Sequence, residues 1–127
     1  MTTPSPSPAA ETTRATVDRY FAQLRAREDW TPLLSPEMFF ISRASPERRI
    51  DGRDAYVQAT KRFFAMIADV EVRDLLVDGN KACALTRYRL RPPSGAEFQS
   101  DVAEVFSVRD GKIDSLAIYF DTSPYPK

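Results

Sequence analysis

Arg109-Asp110-Gly111-Lys112 separates two β-rich runs, residues 97–108 and 113–121. An Asp-Gly pair flanked in this way is the strongest short-range hairpin signal a sequence offers. Along the first arm, Phe98, Ser100, Val102, Glu104, Phe106 and Val108 share one face. Asp101, Ala103, Val105 and Ser107 share the other. On the second arm, Leu116, Ile118 and Phe120 oppose Ile113, Ser115, Ala117 and Tyr119. Apolar residues on both faces imply strands covered on both sides, by helices on one and by a partner subunit on the other. Glu104 lies inside this ribbon. Burying an ionised carboxylate is costly unless it is paired or protonated, so Glu104 is the leading functional candidate.

The chain has 127 residues, one domain's worth, and its 18 basic residues match its 18 acidic ones. A balanced charge offers no basic footprint for nucleic acid and none for an anionic membrane surface. The single cysteine, Cys83, excludes an internal disulfide and reads as a small buried hydrophobe. The absence of histidine removes His-based triads, a His general base and most zinc sites, so no metal or organic cofactor is implied. No apolar run approaches a membrane span and the N-terminus has no signal-peptide core, which makes the cytoplasm the expected location.

Residues 1–11 begin with alternating proline and small polar residues and are expected to form a disordered tail. A helix is expected next, capped by Thr12 or Thr13, with Val17, Tyr20, Phe21 and Leu24 as its apolar stripe. A short second helix is expected over residues 30–34, with Pro32 in its first turn. Residues 38–43 read as a strand and 44–51 as a polar loop, in which Arg48-Arg49 is most simply a solvated surface, with anion binding as the alternative. A third helix follows Gly52, and its stripe includes Tyr56 and Phe63. Residues 69–77 and 81–90 read as strands joined at Asp78-Gly79. Residues 123–127 are expected to be a loose end, so the domain is set at 12–122. Helices first and a strand meander second make an α+β domain.

Val17-Asp18-Arg19-Tyr20-Phe21, Gly52-Arg53-Asp54-Ala55-Tyr56, the run 105–113 and the ending Tyr119-Phe120-Asp121 together resemble the nuclear transport factor 2-like superfamily, and within it the SnoaL-like and ketosteroid-isomerase-like group. The resemblance implies a cone, a curved antiparallel sheet wrapped around three N-terminal helices (a cystatin-like α+β roll), with an apolar pocket at its open end. It also implies a homodimer paired through the outer face of the sheet.

Within that superfamily, the ketosteroid isomerases use a helix-one tyrosine, a protonated acid on the penultimate strand and an aspartate base on the first strand. Tyr20 and Glu104 match the first two. The base position falls near Ser42 or Arg43. The relay of the limonene epoxide hydrolases would fall on Leu85, Arg87 and Ile118, and is absent. SnoaL-type cyclisation demands only one acid/base carboxylate, which Glu104 or Asp121 could supply. Asp121 is expected instead to cap a loop or lie at a subunit contact. The resulting expectation is a pocket for a small hydrophobic molecule, supporting isomerase or polyketide-cyclase-type chemistry, with Glu104 as acid/base and Tyr20 as oxyanion donor. Trp30, Phe40, Phe63, Leu85, Arg87, Phe106, Leu116 and Ile118 are its expected lining. A structural reading pairs Glu104 with Arg87, Arg89 or Tyr20. A non-catalytic binder and an assembly module using the sheet face are the alternatives.

Overall fold

A computed structural model describes residues 7–44 and 46–125. Helix α1 spans Pro8–Ala26, and strand β1, Leu34–Ser42, follows a single 3-10 turn at Thr31–Leu33. Strand β2 is Arg48–Asp51 and helix α2 is Arg53–Met66. Strands β3 to β6 are Ile67–Asp78, Lys81–Leu90, Phe98–Arg109 and Lys112–Phe120. The strands form one curved sheet in the order β2-β1-β6-β5-β4-β3, and the helices pack against its inner face. This is the expected α+β cone.

Several details depart from the expectation. There are two α-helices, and the segment after Trp30 makes only the 3-10 turn. The sheet is mixed, because β1 pairs with β6 in parallel. Residues 48–51, read as loop, pair with β1 from Phe39↔Asp51 to Ser42↔Arg48. Helix α1 starts at Pro8, whose missing N–H costs nothing in a first turn, and Ser7 Oγ accepts the Ala10 N–H at 3.1 Å. Thr13, expected near the cap, is instead buried inside the helix, its hydroxyl 2.8 Å from the Gly79 carbonyl oxygen. The tail expected over residues 1–11 is therefore wrong for 8–11, which form the first turn of α1, and its first six residues lie outside the described residues.

Two turns fix the geometry around the site. The expected hairpin forms at Asp110 and Gly111, whose φ of 53° and 72° make it a two-residue turn with positive φ at both positions. Gly52 has φ of 95°, a region closed to most side chains, and its N–H donates to Met38 O at 2.7 Å, bringing α2 back over β1. At the other end of the cone, Arg27, just past the end of α1, and Arg25 in its last turn donate to Ile67 O and Val70 O at 3.0 and 2.9 Å. These bonds tie the helix to β3.

The β4–β5 register is regular from Lys81↔Ser107 to Leu90↔Phe98. Even-numbered residues of both strands therefore share the inner face. The β5–β6 register slips by one residue between Ser107↔Ser115 and Val108↔Ile113, leaving Asp114 as the extra residue of a bulge. The bulge carries Ile113 onto the buried side with Leu116, although simple alternation puts them on opposite faces. On the outer face Leu76, Leu85 and Tyr119 stay exposed, on the side through which the resemblance implies that copies pair.

Candidate functional site

The inner sheet face and α2 enclose a cavity of about 350 Å³. Tyr20, Phe40, Tyr56, Phe63, Phe64, Tyr88, Val102, Glu104, Leu116, Ile118 and Phe120 form its walls. Ser42, Ala44, Pro46, Arg48, Ile50, Ala59, Thr60, Thr122 and Tyr125 complete the lining. Apart from Arg48 and Glu104, none of these side chains carries an ionisable acid or base of ordinary charge.

Glu104 is 3 % exposed and fixed from β4. Tyr88 Oη donates to Glu104 Oε2 at 2.8 Å, and Thr86 Oγ1 lies 2.9 Å from the same oxygen. No basic side chain takes part, and burial pushes the carboxyl from 4.5 up to about 7. When Glu104 is ionised the two hydroxyls can donate to it and oppose that rise, but they do not cancel it. Thr86 Oγ1 also lies 3.0 Å from Val102 O, and one hydroxyl has one hydrogen to give. Both contacts are satisfied at once when Glu104 is protonated on Oε2 and donates to Thr86, which donates in turn to the carbonyl. The unliganded geometry thus suits a neutral Glu104. Oε1 accepts no hydrogen bond among the described residues, and it is the oxygen left to face the cavity.

Tyr20 comes from α1 and is 1 % exposed. Its ring packs edge-on against Phe21, Trp30 and Phe106, with centroids 5.0, 5.5 and 5.7 Å away. Its hydroxyl is the one buried side-chain polar atom without a hydrogen-bond partner among the described residues. An unpaired buried hydroxyl costs about 1–3 kcal/mol, which a ligand's acceptor atom would restore. Burial first, then the neighbouring Tyr56 and Glu104, hold its pKa well above the ordinary phenol value, so Tyr20 is a donor throughout the physiological range. The Tyr56 hydroxyl is close enough to influence it, though not in hydrogen-bond geometry.

Of the expected lining residues, Phe40, Phe63, Leu116 and Ile118 do face the cavity with Tyr20 and Glu104. Phe106 is wholly buried in the core behind Tyr20, and Trp30 packs beneath Tyr56 and Phe64 at 6.5 and 4.5 Å. Neither reaches the cavity surface. Leu85 and Arg87 point outward. Leu85 is 40 % exposed, and Arg87 forms a two-pronged pair with Asp101 at 2.7 and 3.1 Å. Odd positions of β4 face away from Glu104, so the expected partners Arg87 and Arg89 cannot reach it, and Arg89 pairs with Glu97 at 3.1 Å. Thr86, Tyr88 and Tyr56 were missed as its neighbours. Pairing β4 and β5 outward from their loop would have identified the β4 pair, since residue numbers in register sum to a constant. Asp121 caps a loop as expected, accepting the Ser123 N–H at 2.9 Å and hydroxyl at 2.7 Å. Tyr125, in the stretch expected to be loose, packs on Phe98 and Phe120 and shares a 2.8 Å hydrogen bond with Ser100.

The SnoaL-like domain model matches residues 8–116, most of the chain. The chain belongs to the SnoaL-like family. With its cone fold, this domain is a member of the nuclear transport factor 2-like superfamily. Among solved structures, the SnoaL-like domain is similar to a protein from Jannaschia sp. CCS1 described provisionally as a SnoaL-like polyketide cyclase, with a TM-score of 0.80 and 18 % identity over 98 % of this chain and 100 % of that one. It is also similar to a provisional ketosteroid isomerase from Kribbella flavida, with a TM-score of 0.71 and 23 % identity over 93 % and 84 % of the two chains. A provisional isomerase from Bacillus subtilis gives a TM-score of 0.77 and 18 % identity over 91 % and 90 %. At these identities the likeness is one of fold. No curated protein matches the sequence.

Proposed function

We propose that this SnoaL-like domain binds a small, largely apolar carbonyl compound and moves a proton on it, with Glu104 as the acid/base and Tyr20 as the donor to the carbonyl oxygen. One observation carries the reading: a buried carboxyl near neutrality shares an apolar cavity with a buried hydroxyl that has no partner. A carboxyl poised near the working pH is present in both protonation states, which acid/base catalysis requires. The cavity volume lies within the roughly 300–1,000 Å³ of small-molecule sites.

Glu104 is the only carboxylate among the described cavity residues, so one group must both take and return the proton. Its carboxylate removes a proton from the carbon beside the carbonyl, and the C–H electron pair forms the enolate, whose oxygen Tyr20 holds. Return of that proton at a conjugated position completes an isomerisation. Attack of the enolate carbon on a second carbonyl, with the Glu104 proton passing to the new alkoxide, completes a cyclisation. Ser42 and Arg43, at the position of the isomerases' base, do not substitute for it. Ser42 offers only a hydroxyl, and Arg43 is cationic and paired with Glu47. The neighbours described as isomerases and a cyclase support this class of reaction.

A thermal-shift screen of steroids, polyketide fragments, terpenoids and small aromatic ketones tests the reading. A ligand at a hundredfold excess over its dissociation constant adds about 2.7 kcal/mol to folding stability. Tyr20→Phe is expected to weaken a ketone hit about tenfold, the cost of leaving its carbonyl unpaired, and to leave the binding of a matched hydrocarbon unchanged. Equal affinity of the variant for the ketone would contradict the assigned role of Tyr20.

A further inference from the structure

We infer that the ligand is an organic anion, its apolar body inside the cavity and its acidic group held at the mouth by Arg48. This deepens the proposed function and rests on the reading that the cavity binds a ligand.

The β2 strand separates the Arg48-Arg49 pair. Successive side chains of a strand point to opposite faces, so Arg48 and Ile50 turn toward the cavity while Arg49 and Asp51 turn away. Arg49 is fully engaged outside. It donates to Asp51 at 3.0 Å, and its guanidinium lies 4.3 Å from the centre of the Phe39 ring. The nearby arginines are engaged as well, Arg43 with Glu47 and Arg53 with Asp54. Among the described residues, Arg48 has neither an ion pair nor a side-chain hydrogen bond. It stands directly across the β1–β2 ladder from Ser42, which also lines the cavity. The acid closest in sequence to the lining residue Thr122 is Asp121, whose oxygens are taken by Ser123. Glu47, the acid beside Arg48 in the chain, is taken by Arg43, and the lining itself holds no acid but Glu104 among the described residues.

The charge arrangement gives a bound molecule a direction. Glu104 sits among apolar and aromatic walls at the buried end, where an anion would meet no cationic partner and would be repelled whenever Glu104 is ionised. Arg48 is the cationic group of the lining and is exposed at the open end. A molecule with an acidic end and an apolar carbonyl-bearing body therefore enters body first. That orientation delivers the carbonyl toward Tyr20 and leaves the acidic group in water, where a planar guanidinium matches a carboxylate in two hydrogen bonds.

Two fluorescent dyes of one skeleton separate the contributions, the anionic 8-anilinonaphthalene-1-sulfonate and its uncharged parent N-phenyl-1-naphthylamine. Both are titrated into the native protein, Arg48→Ala and Arg48→Glu. The sulfonate is expected to lose about threefold in affinity in Arg48→Ala and about tenfold in Arg48→Glu, with the amine within twofold throughout. Raising salt to about 0.5 M should weaken the sulfonate alone. If the amine binds and the sulfonate falls no further than the amine in the variants, the anion inference is wrong and the cavity reading stands. If both dyes are lost equally, Arg48 is structural and the inference is again wrong. If neither dye binds the native protein, the cavity reading fails and takes this inference with it.

Discussion

Glu104→Gln is expected to lower turnover of a carbonyl substrate by about 10²–10⁴-fold while making the fold more stable above neutral pH. The amide keeps the shape and its oxygen still accepts the Tyr88 hydroxyl, but it cannot transfer a proton. The stability effect follows from linkage. The folded carboxyl titrates at about 7, above its ordinary 4.5, so the folded state holds the proton more tightly. The stabilisation is fully present below 4.5, declines as pH rises, and is lost above about 7. For a wholly buried group the loss between these limits is about 3 kcal/mol, since each pH unit is worth about 1.4 kcal/mol. The glutamine variant lacks this dependence. The difference in melting temperature between the two proteins, measured from pH 4 to pH 9, should widen in favour of the variant between pH 5 and 7. Parallel profiles would show that the Glu104 carboxyl titrates alike in the folded and unfolded protein, and would contradict its rise on burial.

Phe106→Ala is expected to cost about 3–5 kcal/mol, among the largest effects of any single truncation here. Phe106 is fully buried and packs edge-on against both Tyr20 and Phe21, at 5.7 and 5.9 Å. The cavity left behind would loosen the ring that presents the Tyr20 hydroxyl. Leu85→Ala makes the control, because its exposed side chain lies on the far face of the sheet, and should cost less than about 1 kcal/mol. Urea denaturation of both variants measures the difference. Similar costs would contradict the assignment of Phe106 to the core and Leu85 to the outer face.

The fold was legible because local signals agreed. Asp110-Gly111 specified the turn, and alternation along β5 put Glu104 inward with Val102 and Phe106. The site was legible only on the strand that carried the turn. On β4 both faces hold large side chains, and a choice between Arg87 and Tyr88 is a slip of one residue that exchanges the two faces. The outward position of Arg87 follows from Asp101 opposite it, a cross-strand pair visible only once the register is set. Strand β2 was hidden because four residues rich in charge carry almost no apolar period, and it forms only against β1. Tyr125 was hidden for a related reason. Its partners Phe98 and Phe120 are brought together by the sheet, and nothing in the last residues announces them.

In this structure Glu104 is a near-neutral carboxyl facing an apolar cavity. The most direct measurement follows its side-chain carboxyl carbon by NMR against pH, assigned by comparison with Glu104→Gln. A midpoint near 7, rising further in Tyr88→Phe where a hydrogen bond to the charged form is lost, is the result expected from this geometry. A midpoint near 4, unmoved in Tyr88→Phe, would mean that water or a cation stabilises the charge, and would contradict the acid/base assignment.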